Sequence, residues 1–156
     1  QGLSRHWHKH RYSVSYKASK LFTDGAFTDT MEVATTWDNL ERLYNGVISR
    51  LKKHCLVLAH ISHVYNEGAA IYFTMVSPLT GLKSSLKKYD AMWQISMKAA
   101  QDFDGVLSHH HGIGRLKKQF IREEWGHARA VFDQLKAYFD PNNILNPEVL
   151  APDVSA

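Results

Sequence analysis

The sequence predicts an α+β fold, an antiparallel sheet with helices on one face and a helical C-terminal extension. Three observations carry that reading. Cys55–Tyr65 and Ala69–Val76 are rich in β-branched and aromatic residues and are separated by Asn66-Glu67-Gly68, the pattern of a tight-turned hairpin. Two stretches with apolar residues at helical spacing, from Asp38 and from Lys83, flank that hairpin. A strand-like segment precedes the first and a short one follows the second. The order is therefore strand–helix–strand–strand–helix–strand, the split βαβ or ferredoxin-like unit.

In chain order, His6-Trp7-His8-Lys9-His10-Arg11 alternates imidazoles, so an extended segment places all three on one face. Such runs are common at termini, and no metal is expected there. Tyr12, Tyr16 and Leu21 give a weak helical spacing that Asp24-Gly25 ends. Phe27–Thr36 reads as a strand. Asp38, with Glu41 three residues on, forms a capping box, and Leu40, Leu43, Tyr44, Val47, Ile48 and Leu51 make one apolar stripe. Lys52, Lys53 and His54 fall in the last turn, where the helix dipole favours positive charge. In Ala69–Val76, Ile71, Phe73 and Met75 point to one face, while Ala70, Tyr72 and Thr74 point to the other. Pro78–Gly81 is a loop. Lys83–Phe103 buries Leu86, Tyr89, Met92, Trp93, Met97, Ala100 and Phe103, and Asp104-Gly105 turns into the strand Val106-Leu107. Leu116–Phe139 is helical with a break near Gly126, and the prolines of Asp140–Pro147 close the fold.

The 156 residues suit one domain that buries about 70% of its unfolded surface. A content of 44% hydrophobic and 22% charged residues is ordinary for a globular protein. The charge of +4 and pI of about 9.2 come from scattered basic residues, densest at Arg5–Arg11 and Arg115–Arg122. That balance suits an anionic ligand, and no nucleic-acid signature accompanies it. The single Cys55 excludes an internal disulfide and fits a reducing compartment, with the cytoplasm as the expected location. No apolar run approaches the roughly 20 residues of a membrane span. The chain opens on Gln1, with neither a start residue nor a signal-peptide pattern, and is expected to be a piece of a longer polypeptide.

The chemistry concentrates in Ser108-His109-His110-His111-Gly112-Ile113-Gly114, followed by Arg115-Leu116-Lys117-Lys118. Glycines here let the backbone bend and approach another group closely, so the imidazoles sit at a turn where they reach a ligand. A solvated loop and an adventitious metal site are the plain alternatives. With the unit's sheet open on one side, Tyr72 lies on that open face and the histidine run ends beside it.

This run, with Arg115-Leu116-Lys117-Lys118-Gln119, resembles the histidine motif of the alkyldihydroxyacetonephosphate synthase family. Asp140-Pro141-Asn142-Asn143-Ile144 resembles the end of the type-4 FAD-linked oxidase C-terminal domain of the vanillyl-alcohol-oxidase superfamily. Gly68-Ala69-Ala70-Ile71-Tyr72-Phe73 is similar to the strand carrying that family's acid/base tyrosine, and Glu32 to Asp38, with Trp37-Asp38, to the segment opening its first cap helix. The resemblance spans Trp7 to Pro147.

It implies the substrate-binding cap of an FAD-dependent enzyme, whose FAD-binding domain, in the same polypeptide, lies outside this chain. In that family acyl-dihydroxyacetone phosphate exchanges its fatty acid for a fatty alcohol, a step of ether-lipid synthesis without net redox change at the flavin. Carried over residue by residue, Tyr72, His109, His110 and His111 are the catalytic positions. His110, His111 and Asn143 contact the cofactor, and Arg11, Lys17, Lys20 and Arg115 face the substrate. A small-molecule or lipid-like substrate, approached at a membrane surface, and a homodimer are the further implied partners. One position departs: Ala18 stands where the family has a phosphate-holding arginine, and Lys17 or Lys20 supplies only a point charge in its place. The related metal-dependent D-2-hydroxyacid dehydrogenases carry a histidine pair and a Glu-His before Gly-x-Gly. Here His63 matches the first histidine, Ala69 and Ala70 lie near the second, and His110 replaces the glutamate. No complete metal site of that kind is expected. Two alternatives stay open: an FAD-linked oxidoreductase acting on a hydroxyacid or alcohol, and a stand-alone ferredoxin-like binding module. An RNA-binding module needs several stacking aromatics on its sheet, and Tyr72 between Ala70 and Thr74 offers too few.

Overall fold

A computed structural model describes residues 2–13 and 17–149. Its elements are α1 (Gly2–His10), α2 (Lys17–Thr23), β1 (Ala26–Thr36), α3 (Trp37–Leu51), β2 (Leu56–Val64), β3 (Gly68–Pro78), α4 (Leu82–Asp102), α5 (Lys118–Trp125) and α6 (Ala128–Phe139). The α+β class and the antiparallel sheet are as the sequence predicts; the ends of the three strands and of α3 and α4 move by only a residue or two, while α2, expected from Tyr12, is described from Lys17. The three strands run in the order β1-β3-β2, with β3 central and antiparallel to both neighbours. The last strand of the unit shrinks to one antiparallel bridge, Val106 to Ala34. It lies on the side of β1 away from β3, which is where a ferredoxin-like order puts it. Two residues between Gly105 and Ser108 are too few to extend the ladder.

Alternation in the strands decides the layers. Met31 and Val33 on β1 and Ile71, Phe73 and Met75 on β3 are buried against Leu43, Val47 and Leu51 of α3 and Met92, Trp93 and Met97 of α4. Burying one such side chain is worth about 1.5–3 kcal/mol, so this layer fixes the register. The register in turn places Glu32 opposite Tyr72 and Tyr72 opposite His60 on the other face. A polar group at the edge of the core ties α4 to β1. Asp29 Oδ2 accepts the Tyr89 hydroxyl at 2.6 Å and the Trp93 indole N–H at 2.9 Å. Burial, and then the bond to Asp29, push the Tyr89 hydroxyl well above its ordinary pKa.

Two local expectations are corrected. Thr36, not Asp38, is the N-cap of α3, and it makes no side-chain cap bond; Asp38 sits in the first turn, where the dipole still favours its charge. The helix start is held instead by Trp37, whose indole N–H donates to the carbonyls of Tyr65 and Asn66 in the hairpin turn at 3.2 and 3.1 Å. His6–His10 lies in a helix rather than an extended segment, so His6 and His10 meet one turn apart, ring centroids at 4.5 Å, and His8 points elsewhere. Gly25, with φ of 86°, ends the α2 segment as expected. Gly68 has no room for a side chain, since a Cβ there would lie 2.0 Å from the Thr35 carbonyl oxygen. Among the described residues no helix is long and apolar enough to cross a membrane.

Candidate functional site

The site starts from Glu32. Its side chain points to the open sheet face between the inward-facing Met31 and Val33, yet it is 0% exposed. The histidine loop covers it. The loop is pinned to β1 by the His109 amide, which donates to the Glu32 carbonyl at 3.1 Å. At its entry the Leu107 amide donates to Glu124 of α5 at 2.7 Å. Its turn is closed by Ser108 Oγ, which donates to the Gly112 carbonyl at 2.7 Å and accepts from the buried Lys117 ammonium at 2.9 Å. His110, Gly112 and Gly114 take positive φ of 44°, 75° and 56°. The two glycines do so without strain, whereas His110 occupies a conformation uncommon for a residue with a Cβ.

Four imidazoles then converge on one carboxylate. Glu32 Oε1 lies 3.1 Å from His63 Nδ1 and 3.1 Å from His109 Nδ1, and it also accepts a short bond from the Ser62 hydroxyl. Oε2 lies 3.4 Å from His110 Nδ1 and 3.4 Å from His111 Nε2. Tyr65 caps the far side of His109, its hydroxyl 2.8 Å from Nε2. Tyr72 is flanked by two rings: His60 stacks on it at 5.1 Å, and His111 meets it edge-on at 5.4 Å. Burial pushes the Glu32 carboxyl up, but bonds from Ser62 and His63, the charge of His110 and the bond from His109 outweigh it and hold the pKa below its ordinary value. Burial, and then the charge of His110, push the His111 imidazole below its ordinary value, against the pull of Glu32.

Comparison with known proteins gives the family of the domain. The family model of FAD linked oxidases, C-terminal domain, matches residues 2–150. The chain belongs to that family. It is 28% identical to the alkyldihydroxyacetonephosphate synthase of Dictyostelium discoideum, over 95% of this chain and 25% of that protein. It is also 28% identical to the uncharacterized FAD-linked oxidoreductase YgcU of Escherichia coli O157:H7, over 89% of this chain and 31% of that protein. A solved alkyldihydroxyacetonephosphate synthase structure superposes with a TM-score of 0.62 at 23% identity, covering 92% of this chain and 24% of that one. The chain thus spans between a quarter and a third of the length of these two curated relatives.

Within the family fold, Tyr72, His109, His110 and His111 come together on one sheet face, as the sequence suggested. Arg115 joins their edge, lining a recess of about 390 Å³ with His111, Asp29 and Trp93. It also forms an exposed ion pair with Glu148 at 3.2 Å. Arg11 and Lys20 are held within their own segments. Arg11 donates to the His8 carbonyl and lies over the Tyr12 ring, and Lys20 pairs with Asp24 at 2.8 Å. The side chains of Lys17 and Ala18 lie outside the described residues. Asn143 sits in the closing turn with φ of 50°, its amide donating to the Asp140 carbonyl at 3.0 Å. Residue-type reading missed Glu32, His60, Ser62 and Tyr65 as members of the site. The available signal was Glu32 itself, a lone acid between core-facing Met31 and Val33, four residues ahead of the α3 cap.

The pKa directions set the acid response of the fold. Both groups bind fewer protons folded than unfolded, so stability falls as pH falls. Loss is expected to begin below the ordinary imidazole value of 6.5, as unfolded His111 takes up a proton. It steepens below the ordinary carboxyl value of 4.5, where the unfolded Glu32 protonates first. Urea midpoints at pH 8, 5.5 and 4 should decrease in that order. A midpoint that rises on acidification contradicts the assignment.

Proposed function

We propose that this chain is the substrate-binding cap of an FAD-dependent enzyme of the alkyldihydroxyacetonephosphate synthase type, with its flavin-binding domain elsewhere in the same polypeptide. The observation that carries the reading is the meeting of Tyr72 with the three-histidine loop over a buried carboxylate. Tyr72 Oη is the acid/base group that takes a proton from the carbon beside the substrate ketone. Proton transfer there needs a positioned group, and the Tyr72 ring is held between His60, stacked on it at 5.1 Å, and His111, edge-on at 5.4 Å. His110 turns Nδ1 toward Glu32, which leaves Nε2 on the opposite side of a half-exposed ring. His110 therefore suits a hydrogen bond to the polar edge of a flavin ring, with His111 beside it. When bound, that flavin supplies an electron-accepting ring with no net redox change over the cycle. The bond between the substrate carbon and the acyloxy oxygen breaks, the fatty acid leaves as its carboxylate, and the oxygen of a fatty alcohol, giving up its proton, forms the ether bond to that same carbon. Arg115, at the rim of the recess, is placed to face the substrate's anionic group.

The second reading is an FAD-linked oxidoreductase for a hydroxyacid or alcohol, favoured by Ala18 in place of the phosphate-binding arginine. One pair of assays separates the two. Conversion of acyl-dihydroxyacetone phosphate and a labelled fatty alcohol to the labelled ether product, with the flavin still oxidised, is the expected result. Anaerobic bleaching of the flavin by a hydroxyacid, without ether product, favours the oxidoreductase. In the first case Ala18→Arg is expected to lower KM about tenfold, through a charge-assisted contact worth roughly 1.5 kcal/mol. An unchanged or higher KM counts against a phosphate-bearing substrate.

A further inference from the structure

We propose that Glu32, His63, His109 and His110 form a binding site for a first-row divalent metal, with Zn²⁺ as the ion that fits best. One donor atom from each lies within 4.8 Å of every other. The closest separations match a metal's coordination shell. The Glu32–His63 and Glu32–His109 pairs at 3.1 Å, and His109 Nδ1 to His110 Nδ1 at 3.0 Å, compare with a tetrahedral edge of about 3.3 Å for ligands roughly 2.0–2.1 Å from zinc. The longest separation must shorten by more than 1 Å. His63 and His110, with side chains 49% and 52% exposed, have room to move, while the buried Glu32 and the mostly covered His109 stay fixed.

Without a metal the proton arrangement is frustrated. His109 Nδ1 faces both Glu32 Oε1 and His110 Nδ1, so a single proton there satisfies only one of them. Two neutral nitrogens 3.0 Å apart repel unless one donates to the other. Glu32 Oε2 is fully buried and, among the described residues, makes no hydrogen bond, with His110 Nδ1 and His111 Nε2 each 3.4 Å away, an uncommon cost for a carboxylate oxygen. A cation that takes the lone pairs of all four groups removes the first conflict, and one held by both carboxylate oxygens removes the second as well.

The surroundings already resemble an outer coordination shell. Tyr65 Oη lies 2.8 Å from the free Nε2 of His109, the Ser62 hydroxyl holds Glu32, and the His109 amide ties the loop to β1. Such contacts fix ring orientation and raise ligand basicity. Three imidazoles and one carboxylate, with no thiolate, suit zinc and its neighbours rather than calcium or magnesium. The histidine pair of the related dehydrogenases is not reproduced, because Ala69 and Ala70 stand near its second member. The carboxylate comes instead from β1, and two nitrogens, of His109 and His110, from the loop. His111 and Tyr72 stay outside the set, so the site adds a Lewis acid beside them and does not depend on the flavin reading.

The test is calorimetric titration of chelator-treated, untagged protein with Zn²⁺, with no flavin added and no substrate present. His6, His8 and His10 are changed to alanine in all samples, so that α1 contributes nothing. One Zn²⁺ per chain at micromolar Kd or tighter is expected, with Co²⁺ in its place giving the intense visible bands of a four-coordinate site. Glu32→Gln is expected to weaken binding at least tenfold. His63→Ala, at an exposed strand position that leaves the fold intact, should do the same. No stoichiometric binding, or binding unchanged in His63→Ala, overturns the proposal. Because no turnover is read, loss of the Tyr72 mechanism leaves the result untouched.

Discussion

Replacing Tyr72 by phenylalanine is expected to abolish turnover almost completely while leaving the fold and flavin content normal. The substitution keeps the ring that stacks on His60 at 5.1 Å and meets His111 at 5.4 Å, and removes only the hydroxyl. At a partly exposed strand position that should change stability by no more than about 0.5 kcal/mol. If the hydroxyl moves the proton, its loss costs on the order of 10² to 10⁴ in kcat with little change in KM. His110→Ala should give a comparable loss, and the double variant should lose less than the sum of the two because both act at one site. Steady-state kinetics alongside urea unfolding reads both quantities. Turnover within a few-fold of the parent would leave Tyr72 as an ordinary sheet tyrosine.

The reason Tyr72 was legible in the sequence and Glu32 was not is the same strand periodicity. In β3 the core-facing side chains are Ile71, Phe73 and Met75, so a tyrosine between them announces the other face. In β1 the same alternation marks Met31 and Val33, and it assigns Glu32 outward, where an acid normally meets water. Nothing local says that a loop 77 residues later will fold over it. The helices were readable for the reason the core was, since α3 and α4 each bury one stripe. The terminal histidines were misread because period-2 alternation of a polar residue carries no burial signal, and the segment formed a helix instead. The final strand reduces to a bridge because its neighbours Gly105 and Ser108 divert the chain into the turn that presents the imidazoles.

Glu32→Ala is expected to lower stability at pH 7 by roughly 2–4 kcal/mol, the scale of breaking a buried charged network. The carboxylate is 0% exposed and serves Ser62, His63 and His109 at once, so its removal strands several donors together. The loss is kept from the top of the range for buried pairs because His63 and His110 are about half exposed and recover water. The acid response separates this role from simple packing. Glu32 contributes its full stability above the ordinary carboxyl value of 4.5 and loses it progressively as pH falls from there through the lower folded-state value, so the parent and the variant should begin to converge by pH 4 and meet only at lower pH. Glu32→Gln, which keeps the volume, should show the same convergence with a smaller loss at pH 7. Urea unfolding of the three proteins at pH 7 and pH 4 checks both points. Equal destabilisation at both pH values would mean that Glu32 fills space beneath the histidine loop and that its charge does not organise the four imidazoles around it.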